Sequence, residues 1–134
     1  VSVINGEQRV AEISVGSDPQ FIAVDPEDRR VYVSNAGSDE IVVIDAERQS
    51  VESRFPVGNV PKGIALDPAN RVAYVASEFD GSLNMVDMDT HEILGAIAVG
   101  THPGDVEFDE TRNAVYVAVR ETNSIVIIDV PPRP

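Results

Sequence analysis

The sequence holds two histidines, and one of them, His102, stands just ahead of two carboxylates, Asp105 and Glu107. Residues two apart on an extended strand share a face, so Asp105 and Glu107 point the same way if this segment is a strand. An imidazole beside two carboxylates can hold a divalent metal or pass a proton. The competing reading is a polar channel wall, hydrated by ordered water, or the polar edge of an open sheet. Two further rows of carboxylates stand out: Asp25, Asp67 and Asp109, and Asp45, Asp87 and Asp129. Each recurs at a regular interval beside turn residues, where aspartate closes a turn through its own backbone. The triplet Asp87–Asp89 lacks the remaining ligands of a calcium loop. Phosphate loops, zinc signatures and nucleophile elbows are missing, and without cysteine there is neither a disulfide nor thiolate chemistry. The expectation is a chain with no catalytic residue, no metal and no cofactor.

The regular interval of the aspartates leads to the elements that must carry them. "VYVSN" at Val31–Asn35 returns as "AYVAS" at Ala73–Ser77 and "VYVAV" at Val115–Val119, 42 residues apart both times. Val15-Gly16, Val57-Gly58 and Val99-Gly100 keep the same spacing, as do Pro19, Pro61 and Pro103. This is an internal repeat, with units at 17–58, 59–100 and 101–134 and the end of a preceding unit at 1–16. Within each unit, Val-, Ile- and aromatic-rich segments alternate with turn residues, the pattern of short strands. Strands are expected near 20–25, 30–35, 40–45 and 50–57, and again at +42 and +84 as far as the chain allows. "DAERQSVES" taken alone reads as a helix, but its counterpart "DMDTHEILG" does not, so a hairpin is expected there. "IVVI" at Ile41–Ile44 and "IVII" at Ile125–Ile128 are apolar on both faces and are expected to lie between two layers. The fourth segment alternates, with Val51 and Phe55 apolar against Glu52 and Arg54, so one of its faces is wet. The glycines at 16, 58 and 100 are expected at positive φ, and Tyr32, Tyr74 and Tyr116 in the packing with their hydroxyls paired. His91 falls in a turn and is expected in solvent.

Four antiparallel strands per unit, stacked as buried sheets, make the chain all-β and the units blades of a β-propeller. With strands a to d counted from the channel outward, the chain reads c-d, abcd, abcd, abc. The "YVSN" tetrapeptide, the aspartate closing the third strand and the "VGxxP" before the first resemble the YVTN-type β-propeller repeat, over essentially the whole chain. The tetrapeptide loosens to "YVAS" and then "YVAV". The resemblance implies a non-catalytic binding or scaffold module of an extracytoplasmic protein, periplasmic, secreted or at the cell surface. Related blades hold haem in nitrite reductases and line the active sites of propeller lactonases. The resemblance therefore also allows a fragment of a propeller enzyme or redox protein with its site in the channel.

Three blades do not close a ring, since propellers have roughly four to eight. The strand arithmetic leaves two arrangements open: a piece of a larger propeller, or a homo-oligomer in which one chain's strand d, near Val10–Val15, completes another's last blade. The absence of an initiator Met fits a processed or excised piece. At 43% apolar residues the chain can form an ordinary core, and no apolar run approaches the ~20 residues that cross a bilayer. The net charge is −13, from 23 acidic and 10 basic residues, and Lys62 is the single lysine. Such a surface repels nucleic acid and anionic membrane, so neither is expected as a partner, and it suits high salt.

Adjacent strands run in opposite directions, so the d–a and b–c loops emerge on one face. The d–a loops carry Asp18, Val60 and His102; the b–c loops carry Ser38, Phe79 and Glu121. These positions differ from unit to unit, and variable loops on a rigid scaffold are where a ligand is read. The expected ligand-binding face therefore comprises His102, Asp105, Glu107, Phe79, Asp18 and Glu121, for a protein or a small ligand. Phe79 is the aromatic residue of an otherwise polar loop, "SEFDGS"; the alternative is a Phe folded back on its own blade.

Overall fold

A computed structural model describes residues 1–131 of the chain; the last three residues of the 101–134 repeat lie outside them. Every regular element among the described residues is a strand. A hairpin of β1 (Ser2–Asn5) and β2 (Gln8–Glu12) precedes two four-stranded antiparallel sheets. The first comprises β3 (Pro19–Asp25), β4 (Arg30–Asn35), β5 (Glu40–Asp45) and β6 (Ser50–Pro56). The second comprises β7 (Pro61–Asp67), β8 (Val72–Ser77), β9 (Ser82–Asp87) and β10 (Ile93–Ala98). A three-stranded sheet follows, of β11 (Pro103–Asp109), β12 (Ala114–Val119) and β13 (Ser124–Asp129). The order is c-d, abcd, abcd, abc: a partial propeller. Residues 46–49, inside the helix-like stretch, form a tight turn between β5 and β6.

The sheets stack face to face, and each interface is an apolar layer. Val33, Val42 and Ile44 of the β3–β6 blade meet Ile13 and Val15. Its other face, with Tyr32, Ile41, Val43 and Phe55, packs on Ile64, Ala73, Val75 and Val86 of the next blade. Tyr74 and Leu83 in turn meet Val106, Val115 and Val117 of the last. Full burial of a side chain of this size stabilises by roughly 1.5–3 kcal/mol, so the alternating faces of β4, β5 and β8 hold the stack together. The inner strands β3, β7 and β11 lie side by side. Gly63 lets β7 approach β11: a Cβ there would stand 2.5 Å from the Gly104 carbonyl oxygen and 2.6 Å from the Val106 nitrogen.

The aspartate rows do close turns. Asp25, Asp45, Asp67, Asp87 and Asp109 each accept backbone N–H bonds from residues two or three further on, at 2.8–3.4 Å. The fourth residue after each of these aspartates turns left-handed: Arg29, Gln49, Arg71, His91 and Asn113. The ten positive-φ non-glycine residues among the described residues fall at four repeat positions: Asp18, Val60 and His102; Arg29, Arg71 and Asn113; Asp39 and Asn123; Gln49 and His91.

Several expectations change in detail. Gly16 and Gly100 take φ of 141° and 117°, but Gly58 is not at positive φ. Glycine is needed at 58 because a Cβ would meet Asp80 Oδ2 at 2.4 Å and Ser77 Oγ at 2.5 Å. The Tyr32 hydroxyl is buried without a hydrogen-bond partner among the described residues. Its burial pushes the Tyr32 pKa up to about 12. His91 is half-buried rather than solvated: its ring stacks on Phe55, with centroids 4.5 Å apart, and desolvation lowers its pKa. "IVVI" lies between two layers, but "IVII" has one covered face only. Ile125 and Ile127 are 59% and 56% exposed because no sheet of the described residues covers that side.

Candidate functional site: the loop face and the channel mouth

The face that carries the d–a and b–c loops is tied together by a repeated backbone bond. Ala36 N–H donates to the Asp18 carbonyl at 2.9 Å, Glu78 to Val60 at 3.0 Å, and Arg120 to His102 at 3.2 Å. Each donor stands just after strand b and each acceptor just before strand a, so the two loops of every blade are zipped at one height. The left-handed turn at Asp18, Val60 and His102 aims the next peptide at its strand while leaving the side chain on the loop face. The 42-residue register aligns Gly37 with Phe79 and Glu121, one residue earlier than Ser38. A Cβ at Gly37 would come within 2.4 Å of Ser17 Oγ, so the first full blade has no side chain where the others project theirs.

The residue just before Phe79 is the centre of the site. Glu78 is 8% exposed. Its Oε2 faces Lys62 Nζ at 3.3 Å, while its Oε1 takes a hydrogen bond from Arg120 and stands 3.6 Å from His102 Nδ1. A carboxylate this deep stays ionised only with such partners. At 3.6 Å the His102 contact is too long for a hydrogen bond, and Nδ1 is buried with no other partner among the described residues. Lys62 Nζ also donates to Gln20 Oε1 at 3.4 Å, and Gln20 Nε2 donates to Asp18 Oδ1 at 2.6 Å. One polar string thus runs from Asp18 through Gln20, Lys62 and Glu78 to Arg120 and His102, across three blades at the mouth of the channel.

Beside this string lies a cavity of about 360 Å³ whose wall includes Phe21, Lys62, Gly104, Asp105, Ala118 and Arg120. A wider cleft of about 510 Å³ opens on Glu78, His102, Arg120 and Glu121. Phe79 stands above, 71% exposed, with its ring edge-on to the His102 imidazole at 6.3 Å. It is not folded back on its own blade.

The structure therefore gathers His102, Phe79 and Glu121, and links Asp18 to them through the polar string. Asp105 and Glu107 do share a face, but it is the open face of the last blade, with Tyr116, Ala118 and Ile125. Asp105 reaches the channel cavity at its upper end, and its Oδ1 accepts a bond from the Val106 N–H at 2.9 Å. No three of His, Asp and Glu among the described residues are grouped so as to hold a metal ion. Glu78, Lys62 and Arg120 are the residues that sequence reasoning missed. The signal was present in the repeat: position 36 is Ala, position 78 Glu and position 120 Arg, opposite charges at one site of adjacent blades.

The family described as "Lactonase, 7-bladed beta-propeller" matches residues 3–133. The chain belongs to this family. Among solved structures this lactonase-family propeller is similar to Kuenenia stuttgartiensis hydrazine synthase, at 24% identity and a TM-score of 0.80, over 96% of this chain and 36% of that one. It is also similar to AztD from Citrobacter koseri, in the apo structure at 18% identity and in a second at 17%, both with a TM-score of 0.63 over 71% of this chain. The chain spans about a third or less of these proteins' length: 36%, 27% and 28%. At such identities the likeness is one of fold. No curated protein matches the chain.

Proposed function

We propose that this chain is a non-catalytic binding or scaffold module, built of YVTN-type blades, that takes a protein or small ligand on its d–a/b–c loop face. The observation that carries the reading is Phe79. A large aromatic side chain that is 71% exposed, held edge-on against His102 above a cleft, is the arrangement of an interface anchor. Its equivalents are Gly37 and Glu121, so the blades present different chemistry at one height. The resemblance to YVTN-type repeats supports a module that works outside the cytoplasm, and the charge of −13 disfavours nucleic acid and anionic membrane as partners. Phe79→Ala is expected to leave the melting temperature nearly unchanged and to abolish retention of a partner captured by the immobilised wild type, a loss of about 2 kcal/mol or more. A sharp fall in melting temperature instead would make Phe79 a structural residue and remove the reading's main support.

A second reading is a piece of a propeller hydrolase of the lactonase kind. A deep carboxylate flanked by an arginine, a lysine and an imidazole favours it, since such a set can polarise a carbonyl and position water. Haem-dependent redox chemistry has less support, because the cluster offers one imidazole. A pH-stat assay on simple aliphatic lactones decides: turnover that disappears in Glu78→Gln establishes the hydrolase, and no turnover leaves the binding module.

A further inference from the structure

We propose that the cavity at the channel mouth binds a small zwitterion of the α-amino-acid class, its carboxylate on Arg120 and Lys62 and its ammonium on Asp105. The inference rests on the reading of the loop face as the binding face, and it names the chemistry of one ligand there.

Three features of the cavity carry it. The first is a preassembled pair of cations. Lys62 and Arg120 come from different blades and repel one another, yet both lean on Glu78, which is 8% exposed and screens that repulsion. Among the described residues only Nη2 of the Arg120 guanidinium is engaged, and the side chain is 64% exposed. The remaining fork donors are open to a carboxylate, the geometry in which arginine binds most strongly. The second is Asp105 in the wall of the same cavity. Among the described residues only its Oδ1 has a partner, the neighbouring Val106 N–H, so Oδ2 is left to accept from an ammonium. A plain anion would be repelled by Asp105 and a plain cation by Arg120; a molecule with both charges satisfies both. The third is the rest of the wall, where Gln20, held by Asp18 and Lys62, adjoins the apolar Phe21, Gly104 and Ala118; that apolar part suits a short hydrocarbon side chain. A volume of about 360 Å³ is at the small end of ligand pockets.

Isothermal titration of the whole chain with L-leucine, with L-leucinamide and with isocaproate tests this. The amide lacks the carboxylate and isocaproate lacks the amine. Leucine is expected to bind, and each analogue to bind at least about tenfold more weakly, the scale of one lost charge-assisted contact. Asp105→Asn, which keeps the bond from Val106, and Arg120→Lys, which keeps the charge beside Glu78 but not the fork, are each expected to weaken leucine by a similar factor. Arg48→Gln, in an exposed turn remote from the cavity, is expected to bind as wild type does. No heat with millimolar leucine overturns the proposal. So does isocaproate binding as tightly as leucine, which would mean a simple anion site, or unchanged affinity in Asp105→Asn. Should a variant melt early, the three ligands on the wild-type chain still decide. A failed leucine titration with Phe79-dependent partner capture intact removes this inference and leaves the loop-face reading standing.

Discussion

Tyr32 and Tyr74 occupy one position of the repeat, and both are buried between blades. Yet the Tyr32 hydroxyl finds no partner among the described residues. A desolvated, unpaired hydroxyl costs about 1–3 kcal/mol, and removing it without changing the ring should recover part of that. Tyr32→Phe is accordingly expected to raise the unfolding free energy by about 1 kcal/mol in urea titrations. The same substitution should change the response to alkali. The Tyr32 pKa is 10.0 in its ordinary state and about 12 in the fold. The unfolded chain therefore releases its proton first, and stability that is fully present below pH 10 is lost as the pH rises toward 12. Over that window the wild type should lose more stability than Tyr32→Phe, and equal losses would mean that the hydroxyl does pair with a solvent molecule or neighbour.

The hairpins and crossings carry a different kind of cost. Val60 sits at φ 54°, a conformation that crowds a β-branched side chain. It is tolerated because its N–H donates to Asp39 Oδ1 at 2.8 Å and its carbonyl accepts from Glu78. Those bonds lock the loop that presents Glu78 and Phe79. Val60→Gly relieves the crowding and keeps both bonds, so it is expected to raise the melting temperature, equivalent to about 1 kcal/mol; a decrease would mean that Val60 packing outweighs its strain. On the opposite side of the blades Arg71 makes a tie between two of them. Its guanidinium reaches Asp25 at 3.1 Å and Asp28 at 2.6 Å in the preceding blade and Asp89 at 2.8 Å in its own. Asp25 is fully buried, so this tie also balances a carboxylate that has left water. Loops on one side are thus cross-linked by Glu78 and on the other by Arg71.

The whole molecule carries 23 acidic and 10 basic residues, and several of the basic ones are already spent in the two inter-blade ties. The remaining carboxylates repel across the surface. Screening should relieve this, so the melting temperature is expected to rise as ionic strength goes from about 0.01 M to about 1 M and the Debye length shrinks from about 30 Å to about 3 Å. A monotonic fall would mean that the exposed pairs, such as Arg30 with Glu52 at 2.8 Å, matter more than the net charge. The last blade bears on assembly at the same scale. Its exposed Ile125 and Ile127 form an apolar patch of the kind that associates, and the mass in solution from light scattering distinguishes a lone arc from a closed assembly.

The repeat was legible in the sequence because each blade must satisfy the same local rules. Strand alternation, a turn-closing aspartate and a proline at the start of strand a are short-range requirements, so they recur at a fixed interval and reveal strand limits and order. The loop face was legible as a set of loops for the same reason, and His102, Phe79 and Glu121 do come together on it. What the interval could not convey is which residues touch between blades. Glu78 meets Arg120 only because two sheets stack at a given height and twist, and Asp105 is separated from His102 by the strand face it takes. The lack of a positive φ at Gly58, the Tyr32 hydroxyl without a partner among the described residues and the stacking of His91 on Phe55 have the same origin. Each depends on the closeness of a neighbouring blade, and that distance is set by packing across the layers rather than by any residue's own sequence neighbours.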